Sequence, residues 1–363
     1  MIGKVVPNYI KSFPNTSLQH AFNLDIGILR KDTSSLWARY YNYPKTGVSL
    51  FVSTIGNNDV FGTQIAVLPY ISFNILKKKK GIYSLKLGLG ASYFTTQYHP
   101  TKNDNNLDIG SPYTWAFQSF IYREIHQKKG VTLKLGAGYS HASNGHTQLP
   151  NLGLNSALMS ISAQFNKKQT TPFAPPVKNK STSKKHYTIS LERGLGFHEF
   201  GSKDSPIGGE KQLVDITSIS VGKISKKHYV IRAGLVHRFY NSYYNYIIDS
   251  NELEYINRPK KNASNIELFI GNEFYLGHVD IDIRLGVNLY KPFYKRFAEI
   301  FPARTTIEGS LKSLVSTRLG LNLFLINTNK VPKHNIYIGT YIKANLDQAD
   351  FTAISVGYTY RLK

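Results

Sequence analysis

An all-β fold built from closed antiparallel barrels is predicted by three features of the 363-residue sequence. Apolar and polar residues alternate over stretches of about 10 to 15 residues, short turns alternate with longer loops, and 25 Tyr and 20 Phe recur along the chain. In IYSLKLGLGASY, Tyr83, Leu85, Leu87, Leu89, Ala91 and Tyr93 share one face, while Ser84, Lys86, Gly88, Gly90 and Ser92 share the other. VDIDIRLGVNLY repeats the pattern, with Val279, Ile281, Ile283, Leu285, Val287 and Leu289 opposed by Asp280, Asp282, Arg284, Gly286 and Asn288. Strands of soluble sheets mostly run to about five or six residues, whereas a strand that crosses a bilayer needs about 9 to 11, apolar outward and polar inward. Length and alternation together therefore predict a membrane barrel of the outer-membrane type.

The first half yields eight such segments, near 18–30, 34–43, 47–55, 62–76, 82–97, 112–126, 130–143 and 155–166. The second yields eight more, near 186–197, 211–224, 228–240, 264–276, 279–291, 311–326, 334–345 and 350–362. Short turns (PKTG, KKKKG, HQKKG, KISKK, GH) alternate with longer loops at 98–111, 144–154, 198–210, 241–263 and 292–310. That alternation is the pattern of short periplasmic turns and long outer loops, and an even strand number returns both ends to the periplasm. Residues 168–185 are rich in Pro and Lys without apolar periodicity, as in an exposed linker. The predicted organisation is an eight-stranded barrel over 1–167, this linker, and a second eight-stranded barrel over 186–363. The alternative is one sixteen-stranded barrel, which would ordinarily make a short turn where the linker stands.

Composition narrows the function. The chain has no Cys, so thiolate nucleophiles, disulfides and Cys metal sites are excluded. Its 11 His form no ligand-spaced cluster with carboxylates such as H-E-x-x-H, so no metal or other cofactor is expected. No run reaches the roughly 18 apolar residues of a membrane helix. The start, MIGKVVPNYIKSF, has no apolar core of a signal peptide, so an exported protein is expected here in processed form. A formal net charge of +23 raises nucleic acid as a partner, but neither an RNP pattern nor a zinc-finger spacing occurs and no nucleic-acid partner is expected. Lys77 to Lys80, Lys128, Lys129, Lys167, Lys168, Lys226 and Lys227 instead read as solvated turn residues, with anionic lipid headgroups as a second use.

The candidate chemistry lies in HASNGHTQLPNLGLN, residues 141–155. The apolar face of GVTLKLGAGYSHASN carries Val131, Leu133, Leu135, Ala137 and Tyr139, and the same parity continues to His141 and Ser143. The next strand places Ala157, Met159, Ile161, Ala163 and Phe165 on its apolar face, and Asn155 begins that parity. Three polar side chains thus cluster at the outer end of a lipid-facing wall, where polar groups are tolerated at the water boundary. A serine needs a base within hydrogen-bond reach to become a nucleophile, and the base needs an orienting partner. His141 can serve Ser143, and Asn155 can hold the imidazole. A site there would meet an ester of a lipid whose acyl chain stays in the bilayer.

This segment resembles the H-x-S-N loop of the lipid A 3-O-deacylases, outer-membrane barrel esterases, and residues 1–167 look like that family, with support from GKVVPN, YYNYPKTGVSLFVSTIGNNDVFG and PNLGLN. The resemblance implies hydrolysis of an acyl ester of lipid A or a similar acylated glycolipid, with lipid A or lipopolysaccharide and membrane lipids as partners. It implies His141 as general base, Ser143 as nucleophile and Asn144 as the oxyanion residue, and Gly145, Pro150, Asn151 and Gly153 are expected to shape the loop. The family's acidic residue aligns with Asn155. An amide can fix the imidazole tautomer but brings no negative charge to the imidazolium. Asp104 and Asp108 are the carboxylates of the preceding loop, and His146 lies off the serine's face. The second half has no H-x-S-N copy. The rival reading is a non-enzymatic barrel for transport or surface binding, whose Tyr-rich loop NSYYNYIIDSNELEYINRP contacts a ligand.

Overall fold

The computed structural model describes residues 1–29, 36–78, 81–128, 130–165, 186–204, 209–225, 228–303, 305–346 and 348–362, and within them the chain is two closed antiparallel barrels of eight strands each. The first comprises β1 (Ile2–Val6), β2 (Gln19–Leu29), β3 (Lys45–Ser53), β4 (Gln64–Lys78), β5 (Gly81–Phe94), β6 (Tyr113–Lys128), β7 (Val131–Ser143) and β8 (Leu154–Phe165). β1 closes it by pairing with β8 from Ile2↔Met159 to Val6↔Asn155, and with β2 over only Ile2↔His20 and Gly3↔Gln19. The second comprises β9 (His186–His198), β10 (Gln212–Ser225), β11 (Tyr229–Tyr240), β12 (Ser264–Leu276), β13 (Val279–Tyr290), β14 (Val315–Phe324), β15 (His334–Asn345) and β16 (Gln348–Arg361). β16 returns to β9 from Thr352↔Phe197 to Arg361↔Thr188. Closure pairs every strand on both edges. The single sixteen-stranded alternative is therefore set aside.

By contacts the chain divides into two compact units, Met1–Asn144 with Leu149–Val177 and Gly145–Gln148 with Lys178–Lys363. The expected linker at 168–185 lies outside the described residues, as do Lys79, Lys80, Lys129, Lys167, Lys168, Lys226 and Lys227. Lys128 is described and exposed.

The predicted faces are the observed ones. Met159, Ile161 and Phe165 of β8, and Ile283, Leu285 and Val287 of β13, point outward and are exposed, which in a bilayer means exposed to lipid. The alternate residues point inward and are largely polar, beside a buried apolar cluster in the first barrel that includes Phe51, Leu68, Phe120 and Leu158. In the first barrel Lys86 donates to Asp25 at 2.6 Å, Ser49 donates to the same carboxylate, and Lys134 bonds Gln164. In the second, Glu192 accepts from Arg318 at 2.5 Å, Arg284 at 3.2 Å and Tyr337 at 2.8 Å, while Arg232–Glu273, Arg238–Glu267 and Lys343–Asp350 pair at 2.7 to 2.8 Å. A buried charge is tolerated where it is paired and hydrogen-bonded, so these inward Lys and Arg residues fill the barrels, whereas Arg123 and Arg193 lie on the outward face.

Two expected strands are corrected. Of the strand expected over 34–43, the described residues 36–43 form none: Leu36–Tyr40 is a short helix, α1, with Trp37 and Ala38 buried. Asn42 and Tyr43 then take φ of 57° and 55°, and the Tyr43 amide bonds back to Ala38 at 2.6 Å. Two successive left-handed residues end any extended run, and of the PKTG expected as a tight turn only Pro44 precedes the strand: Lys45, Thr46 and Gly47 open β3. The eighth strand of this barrel is β1, too short to show a period. A second helix, α2 (Asn58–Phe61), lies in the β3–β4 connection. In the second half, α3 (Asn241–Asp249), α4 (Pro259–Asn262), α5 (Phe293–Ile300) and α6 (Thr306–Leu314) occupy the long connections, so the strand expected from 311 begins at Val315. Thr305 caps α6 by accepting from the Glu308 amide at 3.1 Å, half of a Thr-x-x-Glu capping box. Tyr243 and Tyr255 of the Tyr-rich segment are buried with Phe293 and Phe297.

Candidate active site

Up-and-down pairing brings the connections 7–18, 54–63, 95–112 and 144–153 to one end of the first barrel. An apolar plug of Val5, Ile55, Phe61, Phe94, Ile109, Ala142 and Leu154 fills that end. Polar ties hold the connections above it. Asn103 and Asn106 both donate to Val60 O, at 2.9 and 2.8 Å, and Asn8 Nδ2 donates to Asp108 Oδ1 at 2.8 Å. Leu152 N and Gly153 N donate to Leu107 O and Asp108 O, both at 3.1 Å. The segment 152–153 is thereby laid along 107–108. Burial pushes the Asp108 carboxyl up to about 7, against the opposing donation from Asn8.

On the outward wall beside this end, β7 and β8 pair with His141 opposite Asn155. His141 Nδ1 and Asn155 Oδ1 are 2.8 Å apart, and the Tyr139 hydroxyl also donates to Asn155 Oδ1. Asn155 Oδ1 accepts, so Nδ1 of the imidazole carries the proton and Nε2 keeps its lone pair. Ser143 continues the face of Tyr139 and His141 and is buried at the strand end. Among the described residues no hydrogen bond joins Ser143 Oγ to His141. Gly153, at φ +75°, lies directly over the pair: a Cβ there would sit 3.0 Å from His141 Cε1 and 3.1 Å from Ser143 Cβ. Only a glycine in the left-handed region passes so close.

The residues expected to shape the loop sit at turns and backbone ties of the 144–153 connection. Asn151 Oδ1 accepts from the Asn144 amide at 2.9 Å and so ties 144 to 151. Pro150 follows a cis peptide bond, and its carbonyl lies so near Gly110 that a Cβ there would approach to 2.3 Å. Gly145 has φ +67°. Asp104 is exposed, and neither it nor Asp108 bonds His141, whose hydrogen-bond partner is Asn155. His146 is buried and forms no bond to Ser143 among the described residues.

Residues 28–164 match the lipid A 3-O-deacylase (PagL) family model. The matched segment runs from the end of β2 almost to the end of β8 and includes His141, Ser143, Asn144 and Asn155. No family covers the remainder of the chain. No curated protein matches it. Among solved structures, outer membrane phospholipase A from Escherichia coli is 11% identical over 84% of this chain and 86% of that one, with a TM-score of 0.19. The Salmonella typhi outer membrane phospholipase dimer with bound calcium is 10% identical over 84% and 81%, also at 0.19. The FrpB iron transporter from Neisseria meningitidis is 8% identical over 95% and 63%, at 0.21. The deacylase match and the barrel fold point to the bacterial outer membrane and to hydrolysis of an acyl ester.

Four residues beside the candidate site, on three strands, were not legible as neighbours of it in the sequence. Tyr139 was legible as a member of the right face but not as a donor to Asn155. Trp115 and Phe117 of β6 stand opposite Ser143 and His141 and extend the wall beside them, with Tyr93 and Tyr113 packed 5.6 Å apart nearby. Val6 of β1 stands opposite Asn155. The first two have a signal in strand parity, since 113, 115 and 117 share the outward face; β1 has none.

Proposed function

We propose that the first barrel is a serine esterase that removes an acyl chain from lipid A or a similar acylated glycolipid, with Ser143 as nucleophile, His141 as base, Asn155 as its orienting partner and Asn144 as the oxyanion residue. The observation that carries this reading is the bond from His141 Nδ1 to Asn155 Oδ1 on the outward wall, two residues from Ser143 on the same face. His141 Nε2 takes the hydroxyl proton as Ser143 Oγ attacks the ester carbonyl. The tetrahedral oxyanion then collapses, the protonated imidazole gives its proton to the departing sugar hydroxyl, and water repeats the sequence to release the fatty acid. Trp115, Phe117, Tyr139 and Met159 supply an apolar surface along which an acyl chain can lie without leaving the bilayer. No step calls for a cofactor. The second barrel, with paired charges filling its interior, is assigned no chemistry.

The test is mass spectrometry of lipid A from cells with and without the protein, beside Ser143→Ala. Loss of one acyl chain with the parent and none with Ser143→Ala is expected. Identical lipid A in all three would leave the barrel-only reading.

A further inference from the structure

An amide and a carboxylate orient a histidine differently. Either oxygen of a carboxylate accepts from Nδ1, so it cannot be inserted the wrong way round. An amide can. If the Asn155 side chain turned over, its nitrogen would donate to Nδ1, the imidazole proton would move to Nε2, and the base that Ser143 needs would be gone. Something must select the oxygen end.

The feature that can do so is the second donor on the same atom. Tyr139 lies two residues before His141 on β7, shares its outward face, and donates its hydroxyl to the Asn155 Oδ1 that His141 also contacts, at 2.8 Å. A phenol donates better than it accepts, because its oxygen lone pair is partly drawn into the ring. The arrangement with Oδ1 between phenol and imidazole therefore satisfies both partners, and the turned-over amide satisfies the phenol poorly. We propose that Tyr139 is a positioning residue: it holds the amide oxygen of Asn155 toward His141 and so keeps the imidazole in the tautomer that can accept a proton from Ser143. The inference rests on the esterase reading for its consequence, and on the hydrogen bonds alone for its structure. It makes Tyr139 the counterpart of having Asn at position 155. With a carboxylate there, the tyrosine hydroxyl has nothing to select.

Two measurements test this on the full chain in detergent micelles. The first is kcat and KM for acyl release from purified lipid A by the parent, Tyr139→Phe, Asn155→Glu and the double variant, with Ser143→Ala as the blank. Tyr139→Phe should lower kcat about 10-fold with KM unchanged, and in the Asn155→Glu background the same change should cost less than about twofold. An equal loss in both backgrounds would mean a general packing role and overturn the proposal. The second is nitrogen NMR of histidine-labelled protein, with the His141 signals identified by their disappearance in His141→Gln. The parent should show the proton on Nδ1, and Tyr139→Phe should move a measurable fraction of it to Nε2. An unchanged tautomer would overturn the proposal. Activity surviving in Ser143→Ala, or none in the parent, would instead sink the esterase reading, while the tautomer measurement would still decide the role of Tyr139.

Discussion

His141 and Asn155 face one another as a register pair across β7 and β8, with Nδ1 and Oδ1 2.8 Å apart, and no carboxylate hydrogen-bonds to His141 among the described residues. On the proposed esterase reading, the contact that orients the base is thus made by an amide, without a charge. Replacing Asn155 separates the two. Asn155→Ala removes the contact and should lower kcat/KM by about 100-fold or more, as the imidazole loses its fixed tautomer. Asn155→Glu restores a negative charge beside the imidazolium formed in the transition state and should hold or raise kcat. Acyl release from lipid A, measured for both variants against the parent, decides it. A gain in Asn155→Ala would show that the pairing is incidental to turnover.

Much of this was legible because strand parity is unforgiving. Tyr139, His141 and Ser143 on one strand, and Asn155 with Ala157 and Met159 on the next, must share a face once both segments are strands, and a slip of one residue would bury the whole set. The same rule foretold the inward polar rows, of which Asp280, Asp282 and Arg284 are an example. It could not foretell α1, whose LWARY carries aromatics suited to either state and whose end is set by the left-handed Asn42 and Tyr43. β1 escaped because five residues hold too little period. The support from behind was also hidden. That Asp108 holds Gly153, and that Gly153 roofs His141 and Ser143, depends on two long connections meeting, which no local pattern encodes.

The roof itself can be tested at Gly153. Its φ of +75° disfavours any Cβ by about 1–2 kcal/mol, and the three atoms nearest that Cβ, His141 Cε1, Ala142 O and Ser143 Cβ, lie at 3.0 to 3.1 Å. Gly153→Ala should leave the barrel heat-modifiable on gels, since the strands are untouched, and lower kcat/KM by about 10- to 100-fold by displacing the pair. Unfolding of the barrel would instead make Gly153 a structural requirement alone.

The two barrels should be separable. Each closes on its own strands, β1 on β8 and β16 on β9, so neither depends on the other for a sheet edge. Residues 1–170 expressed alone should give a protease-resistant, heat-modifiable barrel that retains acyl release. Folding only when residues 186–363 are co-expressed would show that closure of the first sheet needs the second half.

Asp108 should make the site end of the first barrel sensitive to pH. Its carboxyl is buried, and burial outweighs the Asn8 donor, so it titrates near 7 in the folded protein against an ordinary value of 3.8. A folded-state pKa above the unfolded one means that the native state binds the extra proton between those values. Stability is therefore undiminished by Asp108 only below pH 3.8, declines as pH rises from there toward 7, and is lower by a constant amount above it, at most about 4 kcal/mol. The midpoint of heat modification should fall from pH 5 to pH 8 in the parent. Asp108→Asn keeps an oxygen for Asn8 Nδ2 to donate to, carries no charge at any pH, and should flatten that fall, so the variant is more stable than the parent at pH 8 and about equal to it at pH 4. Because the Asp108 carbonyl holds Gly153 over Ser143 and His141, acyl release in the parent should fall along the same limb and that of Asp108→Asn should not. Parallel profiles for the two proteins would place the titration elsewhere.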